Sequence, residues 1–170
     1  MNKRLLSILL AILSILSFTL LSSSDAIERY GSYSPVFMKR DVMENAVKAE
    51  SPKTLTNPGK IYVKDNYIFI NEKYKGIHVI DNSNPSAPVN KAFIHIDGCI
   101  DIALKGDIIY ADNAVDLIAL KANPDFTSIQ VTERLENVFP EISSPDGYWP
   151  YREINSLRPK NSILVYWEKL

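Results

Sequence analysis

Between Lys60 and Asp97 the chain alternates apolar and polar residues in short runs, each closed by turn-forming residues. "KIYVK", "YIFINE", "IHVID" and "VNKAFIHID" carry the two-residue period of strands, and "DN", "KYKG" and "NSNPSAP" separate them. Short strands with tight breaks predict an antiparallel meander. Each break has a chemical basis. Asp65-Asn66 tolerates positive φ in a two-residue hairpin, and Gly76 does the same beside Lys75. Asp81 turns its carboxylate onto the backbone of a loop that Pro85 and Pro88 stiffen, with Asn84-Pro85 at its centre.

The order then repeats from Cys99 to Glu136 as "CIDIALK", "GD", "IIYADN", "AVDLIALK", "ANPDFT" and "SIQVTERLE". Laying Lys64 on Lys105 gives a shift of 41 that pairs Asp65-Asn66 with Gly106-Asp107 and Phe69 with Tyr110. Laying Asn84-Pro85 on Asn123-Pro124 gives 39, so the middle hairpin of the second unit is expected to be two residues shorter. A four-stranded repeat of about 40 residues has the period of propeller blades.

Residues 27–59 are a lead-in, with a β-like run "SYSPVFM" and then "DVMENAVKA". Asp41 with Glu44 three residues on fits a capping box, and Val42–Ala46 and Met43–Val47 stack at i,i+4, so a short helix is expected there. Residues 137–170 form an aromatic, proline-rich tail that ends in the alternating run "SILVYWEKL", the opening strand of a further unit.

The pattern at the start is of another kind. "MNKR" supplies two positive charges, Leu5 to Leu21 is apolar, and small residues follow, with Ser24 and Ala26 at the −3 and −1 positions of a cleavage site. Residues 1–26 thus read as a secretory signal peptide, the alternative being an uncleaved membrane anchor. The mature chain is expected to be periplasmic, cell-surface or secreted. Membrane contact would come only through an uncleaved leader. Such compartments permit disulfides, yet Cys99 is the single cysteine, so it reads as a buried, inert thiol.

"GIHVIDNSNPSAPV" resembles the signature of the LVIVD-repeat family, a hydrophobic strand ending in Asp followed by an Asn-Pro turn. "IHVID" takes the LVIVD position and "NSNP" its turn. The second unit keeps Asn123-Pro124 but places Leu120 where the first has Asp81, which removes a turn-capping carboxylate. The resemblance covers residues 60 to 136. It implies an exported or cell-surface β-propeller-type protein, in a family whose members mostly have no assigned activity.

The expected fold is therefore all-β. It has two four-stranded antiparallel propeller-type blades, residues 60–98 and 99–136, with a short N-terminal helix and an irregular aromatic tail ending in a strand. Rings close with about four to eight blades, so two leave faces open. At about 25 cal/mol per Å², a bare face of several hundred Å² costs on the order of 10 kcal/mol. The chain is then the N-terminal part of a longer propeller, or assembles with copies of itself through the open faces, or covers them with its lead-in and tail. In a closed ring the N-terminal strand completes the last blade, and "SYSPVFM" suits that role.

Candidate chemistry changes this picture little. A net charge of −1 gives no electrostatic case for nucleic acid. Asp97, Asp101, Asp107, Asp112 and Asp116 gather at the repeat junction without the order of a calcium loop, and read as solvated edge and turn charges. His78 and His95 alternate with apolar strand residues and read as partly buried, singly bonded imidazoles. No catalytic residue, metal ligand or cofactor is nominated. The tail aromatics Phe139, Tyr148, Trp149 and Tyr151 stand on proline-stiffened loops, which suits a protein or glycan ligand. The competing reading folds them back over an open blade face. The expectation is a non-catalytic exported scaffold. The alternatives are a fragment of a propeller enzyme acting on carbohydrate, and a non-functional truncated product.

Overall fold

The computed structural model describes residues 31–148 and 151–170. The leader 1–26 and Trp149 lie outside them. The first sheet holds β3 (Pro58–Lys64), β4 (Tyr67–Glu72), β5 (Gly76–Asp81) and β6 (Val89–His95), each antiparallel to the next. The second holds β7 (Ile102–Lys105), β8 (Ile108–Asn113), β9 (Asp116–Ala122) and β10 (Ile129–Leu135) in the same order. Both are all-β propeller-type blades. Their first hairpins match residue for residue, with Lys64 opposite Tyr67 and Lys105 opposite Ile108. Asp65 at φ 51° takes the left-handed position that Gly106 takes at φ 57°.

The sheets stack side by side. β3 lies against β7 at one edge, and at the other β10 lies against β2 (Lys48–Glu50). Between them Phe69, Ile77, Val79, Ala92 and Ile94 of the first sheet meet Ile102, Ile109, Ala111, Ile118 and Leu120 of the second, all buried. Alternation along each strand sends these residues to one face, and stacking removes that face from water. Phe126 adds a latch from the β9–β10 loop. Its ring meets Tyr67 at 5.0 Å and Phe69 at 5.9 Å, edge to face.

Four details differ from the sequence reading. β2 pairs with β6, so the first sheet gains a fifth strand where the end of "DVMENAVKA" had suggested helix. The helix itself, α1 (Arg40–Asn45), is shorter and starts a residue earlier; Asp41 sits in its first turn rather than at the cap. The tail is not irregular throughout, because α2 (Tyr151–Leu157) forms in it.

The register supplies the fourth correction. The β4–β5 turn leaves Lys73–Lys75 unpaired between Glu72 and Gly76, whereas Asn113 pairs with Asp116 around Ala114-Val115. The second hairpin is thus one residue shorter, and the other residue is lost after β9. It follows that Leu120 occupies the position of Ile80, and Lys121 that of Asp81, since Asp81 pairs with Tyr67 and Lys121 with Ile108.

The lead-in strand β1 (Tyr33–Lys39) pairs antiparallel with β11 (Ser162–Lys169). The two ends of the described chain meet, on a two-stranded sheet of their own rather than on either blade. A bulge opposite Val36/Phe37 puts one extra residue into β11. It turns Leu164 and Trp167, three apart, to the same side, where they bury with Ile154 beside Tyr33, Phe37 and Ile142. The Tyr166 ring stacks on Tyr74 of the β4–β5 turn at 6.2 Å.

Candidate functional site

In the first sheet, Tyr62, Phe69, Ile77 and Val79 share one face, because Tyr62 pairs with Phe69 and Phe69 with Val79. Their counterparts in the second sheet are Ala103, Tyr110, Leu117 and Ala119, joined by the same pairings. The first sheet's face is covered by the second sheet. Among the described residues, no sheet lies upon the second sheet's face. Leu135 is 51% exposed there, and Tyr110 and Leu117 are half-buried.

A groove of about 590 Å³ opens on this face. Ala103, Tyr110 and Leu117 form its floor, Lys60, Tyr62 and Asp101 one wall, and Phe139 to Ile142 the other. The second wall is held by the fold. The Phe139 N–H donates to the Val115 carbonyl at 2.9 Å, and the Trp167 indole N–H donates to the Ile142 carbonyl at 3.1 Å. Arg158 grips both oxygens of Glu141 at 2.8 and 2.6 Å, a fork that fixes the carboxylate.

The groove's acidic groups are committed. Asp112, at the inner end, accepts the Ile100 and Asp101 N–H groups at 2.7 to 3.1 Å. Burial pushes its carboxyl up, against the pull of those N–H donors. Asp101 pairs with Lys60 across the two inner strands. Cys99 lies fully buried behind Asp112; burial pushes its thiol well up and the neighbouring carboxylates add to that.

Asp112 and Asp116 are not solvated charges, and that expectation is corrected here. Asp116 is fully buried, bound by Arg40 at 2.9 Å, Arg134 at 2.7 Å and the Asn137 N–H at 3.0 Å. Burial alone would raise its carboxyl, but those donors hold it low. His78 is also fully buried rather than partly so. Its Nε2 lies 3.1 Å from Glu72, and its Nδ1 has no protein partner. His95 is half-buried beside Asp97 at 3.2 Å.

The turn residues make local bonds. Asp81 accepts the Ser83 N–H at 2.9 Å, and Asn84 accepts the Ser86 N–H at 3.2 Å ahead of Pro85. In the second unit, Asn123 accepts the Ser128 N–H at 2.9 Å around Pro124, and Asp125 accepts the Thr127 N–H at 3.2 Å. Asp125 thus supplies a capping carboxylate to the loop that Lys121 leaves without one.

Of the tail aromatics, Phe139 lines the groove, 39% exposed. Tyr148 lies elsewhere, with its N–H on Asp146 at 3.2 Å. Tyr151 opens α2, and Trp149 is not among the described residues. The tail aromatics therefore do not form one patch. Sequence reasoning missed Tyr62, Tyr110 and Leu117 as groove residues. The signal for Tyr110 was present in the 41-residue shift that lays it on Phe69. Among the described residues, no three His, Cys, Asp or Glu side chains gather as a metal site, and no helix is long and apolar enough to cross a membrane.

Stacked four-stranded units with one face left open define a β-repeat protein of the propeller type. The LVIVD repeat family model matches residues 58–93, from the first residue of β3 into β6. Comparison with the curated proteins and with the solved structures gives no match.

Proposed function

We propose that the chain is an exported, non-catalytic repeat scaffold that docks a partner on the open face of its second sheet. One observation carries the reading: Tyr110 and Leu117 repeat the positions of Phe69 and Ile77, which lie under a neighbouring sheet, yet they themselves lie under none. A face built to stack is a face built to bind. Export rests on the leader pattern of residues 1–26.

The groove's chemistry favours an apolar protein surface over a glycan. Ile100, Ala103, Tyr110, Leu117 and Phe139 offer apolar contact, whereas Asp101, Asp112 and Glu141 already hold Lys60, two backbone N–H groups and Arg158. A hydroxyl-rich ligand needs uncommitted polar partners. The same commitments weigh against the alternative of carbohydrate hydrolysis, which needs one carboxyl free to give a proton and another free to receive charge.

A photoreactive residue at Leu117, introduced in cells that are then fractionated, tests the reading. The expected result is a cross-linked adduct in the exported fraction, with none from a matching residue at exposed Glu168. Retention in the cytoplasm, or no adduct from Leu117, would overturn it.

A further inference from the structure

Resting on that reading, we infer that the partner on the open face is a second copy of this chain, bound head to tail through the back of its first sheet. The contact between the two sheets of one chain is the template. There, the face carrying Tyr62, Phe69, Ile77 and Val79 receives the back of the next sheet, led by Ile102, Leu104, Ile109 and Ile118. The described residues leave one unmatched surface of each kind. The second sheet offers Ala103, Tyr110, Leu117 and Leu135. The back of the first sheet offers Ile61 and Val63, at 62% and 66% exposure, in the positions of Ile102 and Leu104. The β3 strip of the one surface and the face of the other are thus both left open outside the molecule.

Charge supports the same pairing. Within the chain, Lys60 of β3 pairs with Asp101, and Lys64 with Asp107 at 3.5 Å. Lys60 and Asp101 occupy equivalent repeat positions, as do Lys64 and Lys105. Stacking a copy's first sheet on the second sheet therefore sets Asp101 against that copy's Lys60, so opposite charges meet again there, while Lys105 meets its uncharged Asn66. Residues 51–57 cross the back of the first sheet over β4, β5 and β6, bonded to Glu72 and Asn90 with His78 buried beside Glu72, and leave Ile61 and Val63 of β3 clear. Such an interface is heterologous. Repeated around an axis it closes a ring of about four to eight blades, or about two to four copies.

Sedimentation equilibrium of the purified chain reads the outcome. The expected mass is about two to four times that of one chain. Val63→Glu on one face and Leu135→Glu on the other should each lower it, and mixing the two variants should restore a one-to-one pair, because each retains the face the other lacks. Both positions are exposed, and far-ultraviolet circular dichroism checks each fold; Ile61→Glu replaces Val63→Glu should that chain fail to fold. Wild-type chain at single mass, an assembly indifferent to both substitutions, or a mixture that stays monomeric would each overturn the inference. A monomeric chain whose Leu117 still cross-links to another protein sinks only the copy-on-copy inference; a monomer without any adduct sinks the docking reading as well.

Discussion

Ile61 and Ile102 hold the same position in two successive sheets, yet Ile61 is 62% exposed and Ile102 only 3%. The difference lies in what stands next to each. Ile102 has the first sheet beside it, and Ile61 has solvent. Replacing Ile102 by Ala should cost about 3 kcal/mol, through lost burial and the cavity left behind. Ile61→Ala should cost under about 1 kcal/mol in the dissociated chain. Urea unfolding at low protein concentration measures both, and equal costs would contradict the stacking.

Glu72 makes stability depend on acid. Burial would raise its carboxyl, but Thr56, Asn57 and His78 outweigh that and hold it at about 2, against 4.5 for an ordinary glutamate. The unfolded chain therefore binds the proton first. The stabilisation is complete above pH 4.5 and is lost as the pH falls toward 2. It amounts to about 3 kcal/mol. Glu72→Gln should remove this share at neutral pH and flatten the acid limb of a stability profile. An unchanged limb would rule the pairing out.

Gly98 joins the two sheets at φ 74°, with the Ala114 turn pressed against it. A Cβ there would lie 2.8 Å from the Ala114 Cβ and 2.9 Å from its backbone. Gly98 also donates its N–H to the Tyr74 carbonyl at 2.9 Å, so the linker cannot simply swing away. Gly98→Ala should destabilise by about 2 kcal/mol or more, seen as a lowered denaturation midpoint. A neutral substitution would mean the linker runs elsewhere.

Asp116 ties the N-terminal segment to the second sheet. Arg40, directly after β1, and Arg134 of β10 both reach its buried carboxylate. Asp116→Asn takes the counter-charge from Arg134 and leaves Arg40 only its more exposed partners Glu44 and Glu136, and should cost about 3 kcal/mol. Hydrogen exchange should then quicken in β1 and its partner β11 before it does in β5. Uniform exchange across the three strands would show that Arg40 anchors nothing.

The meander was legible because its information is local. Asp65, Gly106 and the Asn-Pro pairs write their turns within two to four residues, and strand alternation needs only its own run. What stayed hidden depends on distance. Val42–Val47 carries helical spacing, but pairing of Lys48–Glu50 with β6 decides where the helix stops. Asp112 and Asp116 look like turn charges until residues from other elements close over them. The bulge that brings Leu164 and Trp167 to one side is set by β1, more than a hundred residues away. The groove was half legible: the repeat shift laid Tyr110 on Phe69, but only the stacking direction shows that one is covered and the other open.

That direction is open to one direct measurement, methyl-to-methyl nuclear Overhauser contacts on the labelled chain. Ile77 and Val79 should show contacts to Ile109 and Ile118, while Ile68 and Ile80, on the opposite side of the first sheet, should show none to those two residues. Contacts from Ile68 and Ile80 instead would mean that the sheets meet back to front, and the open face, the groove and the copy-on-copy assembly would all be lost with it.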